Sequence, residues 1–355
     1  MITQDDVRQA LKAVKYPGYS RDILSFGLVK HIQVAPEAVA VHLELNTPRT
    51  EIAAQLKAEC EKVLQQLPGI RTVSVDVRMT GAAGGGAPVN PWAGQARVPG
   101  IERIVAVASG KGGVGKSTCS ANLACALQRE GLRIGLLDCD IYGPTIPLMM
   151  GTRQRPTITP DEKLMPPMAH GIKLMSIGFL LEDDQPVIWR GPMIVKTIQQ
   201  FLVQVEWGAL DYLIVDLPPG TGDAQLTLCQ TVPLDGGVVV TTPQEASLGV
   251  VRKGIAMFEK VNVPVLGIIE NMSYFTAPDG QRLEIFGHGG GRHEAARKNL
   301  PFLGEIPIFV EIREGGDSGV PVVVGRPGTA AAQAFVAVAR AMHAEVEKQR
   351  QAAAG

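Results

Sequence analysis

The sequence predicts an α/β protein with a mostly parallel sheet, preceded by a small α+β domain. Three observations predict this fold. A glycine-rich phosphate-binding pattern occupies residues 110–117, strand and helix patterns alternate from there to the C-terminus, and a separate set of helix and strand patterns precedes residue 80. Alternating strands and helices pack as a parallel sheet covered by helices. The sheet is therefore expected within residues 101–355.

Length and composition indicate the class of protein. The chain has 355 residues, a formal net charge of −1 and 45% hydrophobic residues, which suits roughly two domains of an ordinary soluble protein. It has no overall basic excess for binding nucleic acid. No apolar stretch approaches the ~18 residues of a membrane span, and the acidic N-terminus does not resemble a signal peptide. Five scattered cysteines indicate reduced thiols, so we expect a cytoplasmic protein with no membrane partner.

Residues 1–79 carry the pattern of a compact α+β domain. Thr3 and Asp6 fit the capping box that starts a helix. Strands are predicted at 28–34, 39–45 and 73–77, and a second helix at 52–67. Cys60 lies on the apolar stripe of that helix, where the favoured interpretation is a small buried hydrophobe.

Residues 80–100 are rich in Gly, Ala and Pro. Such a composition cannot bury a core, so it predicts a flexible linker. The alternative is an ordered loop that packs on the second domain through Trp92. The predicted boundaries are therefore 1–79 for the small domain, 80–100 for the linker and 101–355 for the larger domain.

The phosphate-binding pattern follows an apolar strand at 104–108. Gly110, four further residues and then Gly115-Lys116-Ser117 give the spacing of a phosphate-binding loop. Glycines let successive N–H groups point at phosphate oxygens, and the helix that starts there adds its positive end. Lys116 can reach the outer phosphates and Ser117 can ligate Mg²⁺. The residues predicted to bind ATP here are Gly110, Lys111, Gly112, Gly113, Val114, Gly115, Lys116, Ser117 and Thr118.

The larger domain carries further strand patterns at regular intervals. They lie at 104–108, 133–138, 172–177, 211–216, 236–241, 265–270 and 301–304, with a C-terminal helix from about 328 to 348. In such sheets ligands bind at the carboxyl ends of the strands.

Acidic residues end two of these strands. Asp138 and Asp140 follow the second strand, and Asp216 matches a Walker B acid, which holds Mg²⁺, usually through water. The loop at 216–223 has a sequence that could respond to a γ-phosphate. The alternatives are a pair of solvated surface acids and an ordinary strand-to-helix turn.

Several motifs resemble those of known families. The stretch KGGVGKS, in which Lys111 follows Gly110, resembles the deviant Walker A motif of the SIMIBI ATPases, the relatives of ParA and MinD. The order SGKGGVGKST, DCDIYGPT, DLPPGTGD, ENMSYF and IFGHGGG closely resembles the Mrp/ApbC family of P-loop ATPases. In the first domain, the stretch KYPGYSRDILSFGLVKHIQV resembles the small domain of cytosolic iron–sulfur assembly factors.

The resemblance implies an activity and residue roles. It implies a P-loop NTPase that hydrolyses ATP slowly and, as a homodimer, carries an iron–sulfur cluster to apo-proteins. Lys111 would reach the nucleotide of the partner subunit, and Asp140 would orient the attacking water near the γ-phosphate, so that Lys111, Lys116 and Asp140 form the catalytic set. Asn271 would bond the adenine and Pro307 would pack on it. The alternative for Asn271 is a bond that serves only the neighbouring loop.

The segment after Asn271 departs from the family pattern. Typical members carry a Cys-x-x-Cys pair there, and two subunits then supply four thiolates to a bridging 4Fe–4S cluster. Here the first cysteine matches Ala277, and the second matches Gly280 or falls in a one-residue deletion. Asp279 and His288 carry ligand atoms, but their settings are typical of a turn and of a surface loop. If a cluster forms at all, Cys139 and Cys229 are the first cysteines to examine.

Two functions remain open from the sequence. The first is an ATPase of iron–sulfur cluster assembly that acts as a carrier or, because the cluster ligands are missing, through a cysteine-bearing partner. The second is a partition or positioning ATPase of the ParA/MinD kind, acting on membrane or DNA. The C-terminal tail lacks an apolar membrane face, and no lysine–arginine cluster indicates a DNA surface. Both observations favour the first function.

Overall fold

The computed structural model describes residues 3–15, 22–24, 28–35, 37–45, 50–70, 72–79, 97–141, 143–180, 191–220, 225–226, 229 and 232–354. The chain divides into two compact units, Met1–Ala87 and Pro88–Gly355. The predicted linker lies outside the described residues over 80–96, and so does Trp92. Its flexibility therefore stays a prediction.

The first unit is a three-stranded sheet packed against two helices. Its elements are α1 (Gln4–Leu11), β1 (Val29–Ala35), β2 (Ala38–Leu45), α2 (Thr50–Leu64) and β3 (Thr72–Met79). β1 pairs antiparallel with β2, which pairs parallel with β3. The Thr3–Asp6 capping box is confirmed at the start of α1. Cys60 is completely buried in this core, as predicted.

The second unit alternates strands and helices. Its elements are β4 (Ile104–Ser109), α3 (Lys116–Arg129), β5 (Ile134–Asp138), α4 (Ile146–Met149), β6 (Thr157–Ile158), β7 (Leu164–Met165), β8 (Met168–Ala169), β9 (Ile172–Ser176), α5 (Gly191–Gln204), β10 (Tyr212–Asp216), β11 (Gly236–Thr241), α6 (Glu245–Lys260), β12 (Val265–Thr276), β13 (Arg282–Leu283), α7 (Gly290–Lys298), β14 (Phe302–Ile308), α8 (Val310–Ser318), α9 (Val322–Gly325) and α10 (Ala330–Ala354).

The sheet of this unit is mostly parallel. β9, β5, β10, β4, β11 and β12 lie side by side in that order and run parallel. β14 pairs parallel with β12, whereas the short strands β8 and β13 pair antiparallel. Every residue of β4, β10 and β11 is buried, as expected for central strands covered on both faces. The predicted fold class is confirmed.

Alternate residues of β4 pack into two different cores. Val105 and Val107 belong to the core that contains residues of α3 and α10. Ile104, Ala106 and Ala108 belong to the core that contains residues of α5 and α6. Helices therefore cover both faces, and the carboxyl ends of the strands stay at the edge of the sheet, where the predicted site residues lie.

β12 and α10 extend furthest beyond their predicted ends. β12 was predicted to end at residue 270 but continues to Thr276, because its second half pairs with β13 in a hairpin. The pairing of β12 with β14 is irregular between Asn271 and Phe275, where Met272 has a φ of +55°. α10 continues to Ala354. Within the described part of the chain, none of the helices has the length and apolarity of a membrane span.

Candidate functional site

The phosphate-binding loop connects the end of β4 to the start of α3. Gly113 and Gly115 have φ angles of +78° and +79°, a region that favours glycine. A Cβ atom on Gly110 would lie 2.5 Å from the backbone of Val250, and one on Gly115 would collide with the side-chain amide of Asn271. These two glycines are therefore required by close packing behind the loop.

The opposite side of the loop is open. A Cβ atom on Gly112 or Gly113 would have no neighbouring atom within 4 Å. α3 begins at Lys116 immediately after Gly115, so the N-terminal end of this helix lies at the loop. A loop of this shape can direct backbone N–H groups and the positive helix end at an anion.

Asp216 is the centre of a buried polar cluster at the ends of β10 and α3. Lys116 Nζ and Ser117 Oγ each lie 2.6 Å from Asp216 Oδ2, and Ser120 Oγ donates to Oδ1 at 2.5 Å. The Asp216 side chain is completely buried, so its charge needs these partners. The structure thus brings together the predicted phosphate cation and both predicted Mg²⁺ ligands. Ser120 was missed, although its position four residues after Lys116 places it on the same face of α3.

Asp138 lies beside Asp216 in the register of β5 and β10. It is buried, and its Oδ1 accepts the amide N–H of Asp140 at 3.0 Å. Burial and the neighbouring charge of Asp216 raise the pKa of Asp138 to about 7. Asp140 is only half-buried at the same edge of the sheet. Neither acid is a freely solvated surface residue. Thr221, Gly222 and Asp223 of the predicted responsive loop lie outside the described residues.

Asn271 and Pro307 line one cavity together with Gly115 and Thr118. The cavity has a volume of about 410 Å³. Asn271 Nδ2 donates to the carbonyl oxygen of Val114 at 2.8 Å, so Asn271 does hold the phosphate-binding loop. It also faces a cavity large enough for a base, and the two roles are compatible. The apolar part of the lining is formed by Leu148, Met149, Met272, Phe286, Ile308, Phe309 and Ile312.

Lys111, the other lysine of the phosphate-binding loop, does not contact Asp216 in the way that Lys116 does. Its Nζ donates to Gln244 Oε1 at 3.3 Å, and Gln244 is the residue immediately before α6. Lys111 is half-buried. The structure therefore separates the two lysines of the loop, with Lys116 at the carboxylate cluster and Lys111 at the start of α6.

Residues 277–280 form the tip of the hairpin between β12 and β13. The N–H of Gly280 donates to the carbonyl of Ala277 at 2.8 Å, and Asp279 Oδ1 accepts the N–H of Gln281 at 2.9 Å. Asp279 thus acts as an ordinary turn residue. Within the described ranges, no group of three or more His, Cys, Asp or Glu side chains is arranged to hold a metal ion.

His288 is also a poor candidate for an iron ligand. It is exposed, and its Nδ1 lies 2.7 Å from Nη2 of Arg282, which can only donate. The Arg282 guanidinium in turn lies 3.6 Å from the centroid of the Tyr274 ring. A cation therefore occupies one of the two nitrogen positions that a metal would use.

The cysteines of the second unit are poorly placed for a cluster that bridges two subunits. Cys139 and Cys229 are at most 1% exposed and belong to the core that contains residues of α5 and α6. Burial raises the pKa of Cys229 to about 12 and holds that of Cys139 well above its usual range. Iron ligation needs accessible thiolates. Cys119 and Cys125 are likewise buried, in the other core, and burial raises the pKa of each thiol to about 12.

Two buried glutamates, which the sequence analysis missed, fix the region after the hairpin. Glu270 accepts the N–H groups of Gly289 and Gly291, at 3.1 and 2.6 Å, and so caps α7 from a neighbouring strand. Glu294 accepts two hydrogen bonds from Arg252 and two from Arg297. An acid inside an otherwise apolar strand was the available signal for Glu270.

Comparisons with known proteins identify the family of both units. The family model described as NUBPL iron-transfer P-loop NTPase matches residues 100–343, and the one described as iron–sulfur cluster assembly protein matches residues 4–77. An iron–sulfur cluster carrier protein of a Synechocystis species is 45% identical over 98% of both chains. The carrier protein of Escherichia coli is 41% identical over 90% of this chain and 86% of its own.

Solved structures are also similar to a large part of this chain. A nucleotide-binding protein of Archaeoglobus fulgidus in complex with ADP is 44% identical, with a TM-score of 0.57 over 63% of this chain and 88% of that one. The cell division ATPase MinD of Pyrococcus furiosus shares the fold at 22% identity and a TM-score of 0.52, over 70% and 99% of the two chains. The resemblance predicted from the motifs is confirmed: this chain belongs to the NUBPL iron-transfer P-loop NTPase family.

Proposed function

We propose that this chain binds and hydrolyses ATP with Mg²⁺ and uses the nucleotide to support delivery of iron–sulfur clusters to apo-proteins. The observation that carries the proposal is the cluster of Lys116, Ser117 and Asp216 at an open glycine loop, with 2.6 Å contacts from both side chains to the carboxylate. The names of the 45% and 41% identical relatives support the delivery role. The ParA/MinD positioning alternative has the support of a shared fold alone.

The residues at the loop suit the charges of a triphosphate. Ser117 Oγ and the Asp216 carboxylate are oxygen donors of the kind Mg²⁺ prefers, and these two residues would hold it. Bound Mg²⁺ neutralises charge on the outer phosphates. When the nucleotide binds, Lys116 would leave Asp216 and contact the phosphate oxygens. It would then stabilise the negative charge that develops on them during hydrolysis. Asp140 would orient the attacking water.

The cavity beside the loop suits the nucleoside. Asn271 offers an amide for the edge of the adenine, and Pro307 offers an apolar surface for its face. Gly115 and Thr118 also line this cavity, so a base held there would place its phosphates at the loop. Because Asn271 also donates a hydrogen bond to the carbonyl of Val114, binding of the base would be coupled to the phosphate-binding loop.

We expect slow ATP hydrolysis that depends on Mg²⁺. Without Mg²⁺ the outer phosphates lose the cation that neutralises most of their charge, so excess chelator should abolish phosphate release. The measurement is phosphate release by the full chain with Mg²⁺, with chelator, and with Mg²⁺ restored. Turnover that persists in chelator would contradict the assignment of Ser117 and Asp216 as ligands.

A nucleotide-dependent homodimer is the second part of the proposal. Lys116 already lies at the carboxylate cluster, whereas Lys111 lies 3.3 Å from Gln244 and is half-buried. A two-fold dimer would place each Lys111 at the nucleotide of the opposite subunit. Release from Gln244 would cost little, since a single hydrogen bond is worth about 1 kcal/mol.

Lys111→Ala is expected to prevent dimer formation while leaving nucleotide binding by the monomer in place. Light scattering with a non-hydrolysable ATP analogue measures the mass of wild type and variant. Lys348→Ala, on α10, is the matched control and should behave as wild type. A wild type that stays monomeric with the analogue, or a Lys111→Ala variant that dimerises normally, would count against this role.

We also propose that cluster delivery is indirect. The hairpin tip at 277–280 supplies no thiolate, and the cysteines of the described ranges are buried. Carbon side chains and a turn carboxylate are not the ligands of a 4Fe–4S cluster. The cluster is the cargo here, so a partner with its own cysteines would hold it while this chain supplies the nucleotide-driven step. The cytoplasmic location stays a prediction.

A further inference from the structure

Ser176 is a buried serine at the end of β9 that none of the sequence motifs identified. Its side chain is completely buried. Ser176 Oγ accepts the N–H of Gly178 at 3.0 Å and donates to Asp138 Oδ2 at 3.0 Å. Since the hydroxyl has a single proton and Gly178 already donates to the oxygen, that proton is directed at Asp138.

Asp138 connects Ser176 to both ends of the next loop. Its Oδ1 accepts the N–H of Asp140 at 3.0 Å, and its Oδ2 accepts the N–H of Ile146 at 3.3 Å. The loop at 140–146 therefore begins and ends on one carboxylate. A carboxylate can rotate about its bond to Cβ, and the Ser176 hydroxyl opposes that rotation by fixing one of the two oxygens.

The same loop also packs directly on the turn that follows Ser176. A Cβ atom on Gly178 would lie only 3.1 Å from Cβ of Pro144, so the loop approaches the backbone of this turn closely. On the other side, the N–H of Cys139 donates to the carbonyl of Asp216 at 2.9 Å. The end of β9 thus supports the loop that carries Asp140, next to the end of β10.

We propose that Ser176 is a positioning residue for ATP hydrolysis, which acts through Asp138 on the loop that carries Asp140. This inference rests on the proposed function, in which Asp140 orients the attacking water. Without the hydroxyl, the buried carboxylate loses one of its hydrogen-bond donors and the loop loses a fixed anchor. Asn271, Pro307 and Lys116, which are proposed to bind the base and the phosphates, lie on other elements, β12, β14 and α3. We therefore expect the hydrolytic step to be affected more than nucleotide binding.

Ser176→Ala is expected to lower kcat about tenfold, the loss that removing a single buried hydrogen bond can produce. The dissociation constant for a non-hydrolysable ATP analogue should change less than about twofold. Ser273→Ala is the matched control, because Ser273 is also fully buried and its hydroxyl has no hydrogen-bond partner among the described residues. The control should retain wild-type kcat.

A double-mutant cycle tests whether the effect passes through Asp138. Asp138→Asn should lower kcat further, and adding Ser176→Ala to it should cause no additional loss. If the kcat losses of the two single variants multiply in the double variant, the inference is overturned. It is also overturned if Ser176→Ala keeps wild-type kcat, or if its loss of kcat equals that of Ser273→Ala. If Asp138→Asn does not fold, the comparison of Ser176→Ala with Ser273→Ala decides alone. If wild type does not hydrolyse ATP, the proposed function itself fails. If wild type hydrolyses ATP and Ser176→Ala does so equally well, only the role of Ser176 fails.

Discussion

Lys116→Ala is expected to reduce kcat for ATP hydrolysis by about 100-fold or more, the loss typical of removing one preorganised charge-stabilising donor. Lys116 is the cation at the phosphate loop that already contacts Asp216, at 2.6 Å. Its ammonium group would follow the charge that accumulates on the outer phosphates during transfer. Phosphate release under saturating ATP and Mg²⁺ measures the effect.

Lys116→Ala also removes the positive charge that is paired with the buried carboxylate of Asp216. Asp216 would keep the hydroxyls of Ser117 and Ser120 but lose its countercharge, and breaking a buried pair on one side commonly costs about 3–5 kcal/mol. Thermal unfolding must therefore be measured beside activity. Lys260→Ala, at the exposed end of α6, controls for the loss of a lysine, and wild-type turnover in Lys116→Ala would refute the assignment.

Asp140→Asn separates binding from hydrolysis in the same experiment. The substitution keeps the shape of the side chain but removes its charge, so nucleotide binding should remain while kcat falls. Analogue affinity and phosphate release measure the two properties. A variant that loses both equally would indicate that Asp140 supports the site as a whole and does not act on the water.

The second large effect concerns the hairpin tip. Wild type is expected to hold no stoichiometric cluster after anaerobic incubation with iron and sulfide, whereas Ala277→Cys/Gly280→Cys is expected to gain one. The two positions lie across a tight turn, joined by the 2.8 Å hydrogen bond between them. Two thiolates from each of two subunits would complete the set of four that such a cluster needs.

The structure also indicates how much backbone strain the Ala277→Cys/Gly280→Cys substitutions would introduce. A Cβ atom on Gly280 would meet no atom within 4 Å, so there is space. The φ of +85° is unfavourable for cysteine, at a cost of roughly 1–2 kcal/mol. Ala277→Ser/Gly280→Ser carries the same strain without thiolates and is the matched control. Iron and sulfide content per chain and visible absorbance are the measurements. A stoichiometric, oxygen-sensitive cluster in wild type would refute indirect delivery.

Much of this site follows from contiguous sequence. The loop at 110–117 and the acid at the end of β10 are local patterns, since a strand, a turn and a helix start must be adjacent in the chain to work together. The parallel sheet likewise follows from the alternation of strand and helix patterns, because each element must bury its own apolar face. The family resemblance added roles for Lys111, Asp140 and Asn271 that spacing alone does not specify.

Only the tertiary structure decided which polar side chains support these residues. Ser120 reaches Asp216 across 96 residues of sequence, Ser176 reaches Asp138 across 38, and Glu270 reaches Gly291 across 21. The sequence around each of these residues does not identify its partner. These contacts form because strand ends and helix starts that are distant in sequence meet at the same edge of the sheet. Polar groups buried there need hydrogen-bond partners to replace the water that they lose.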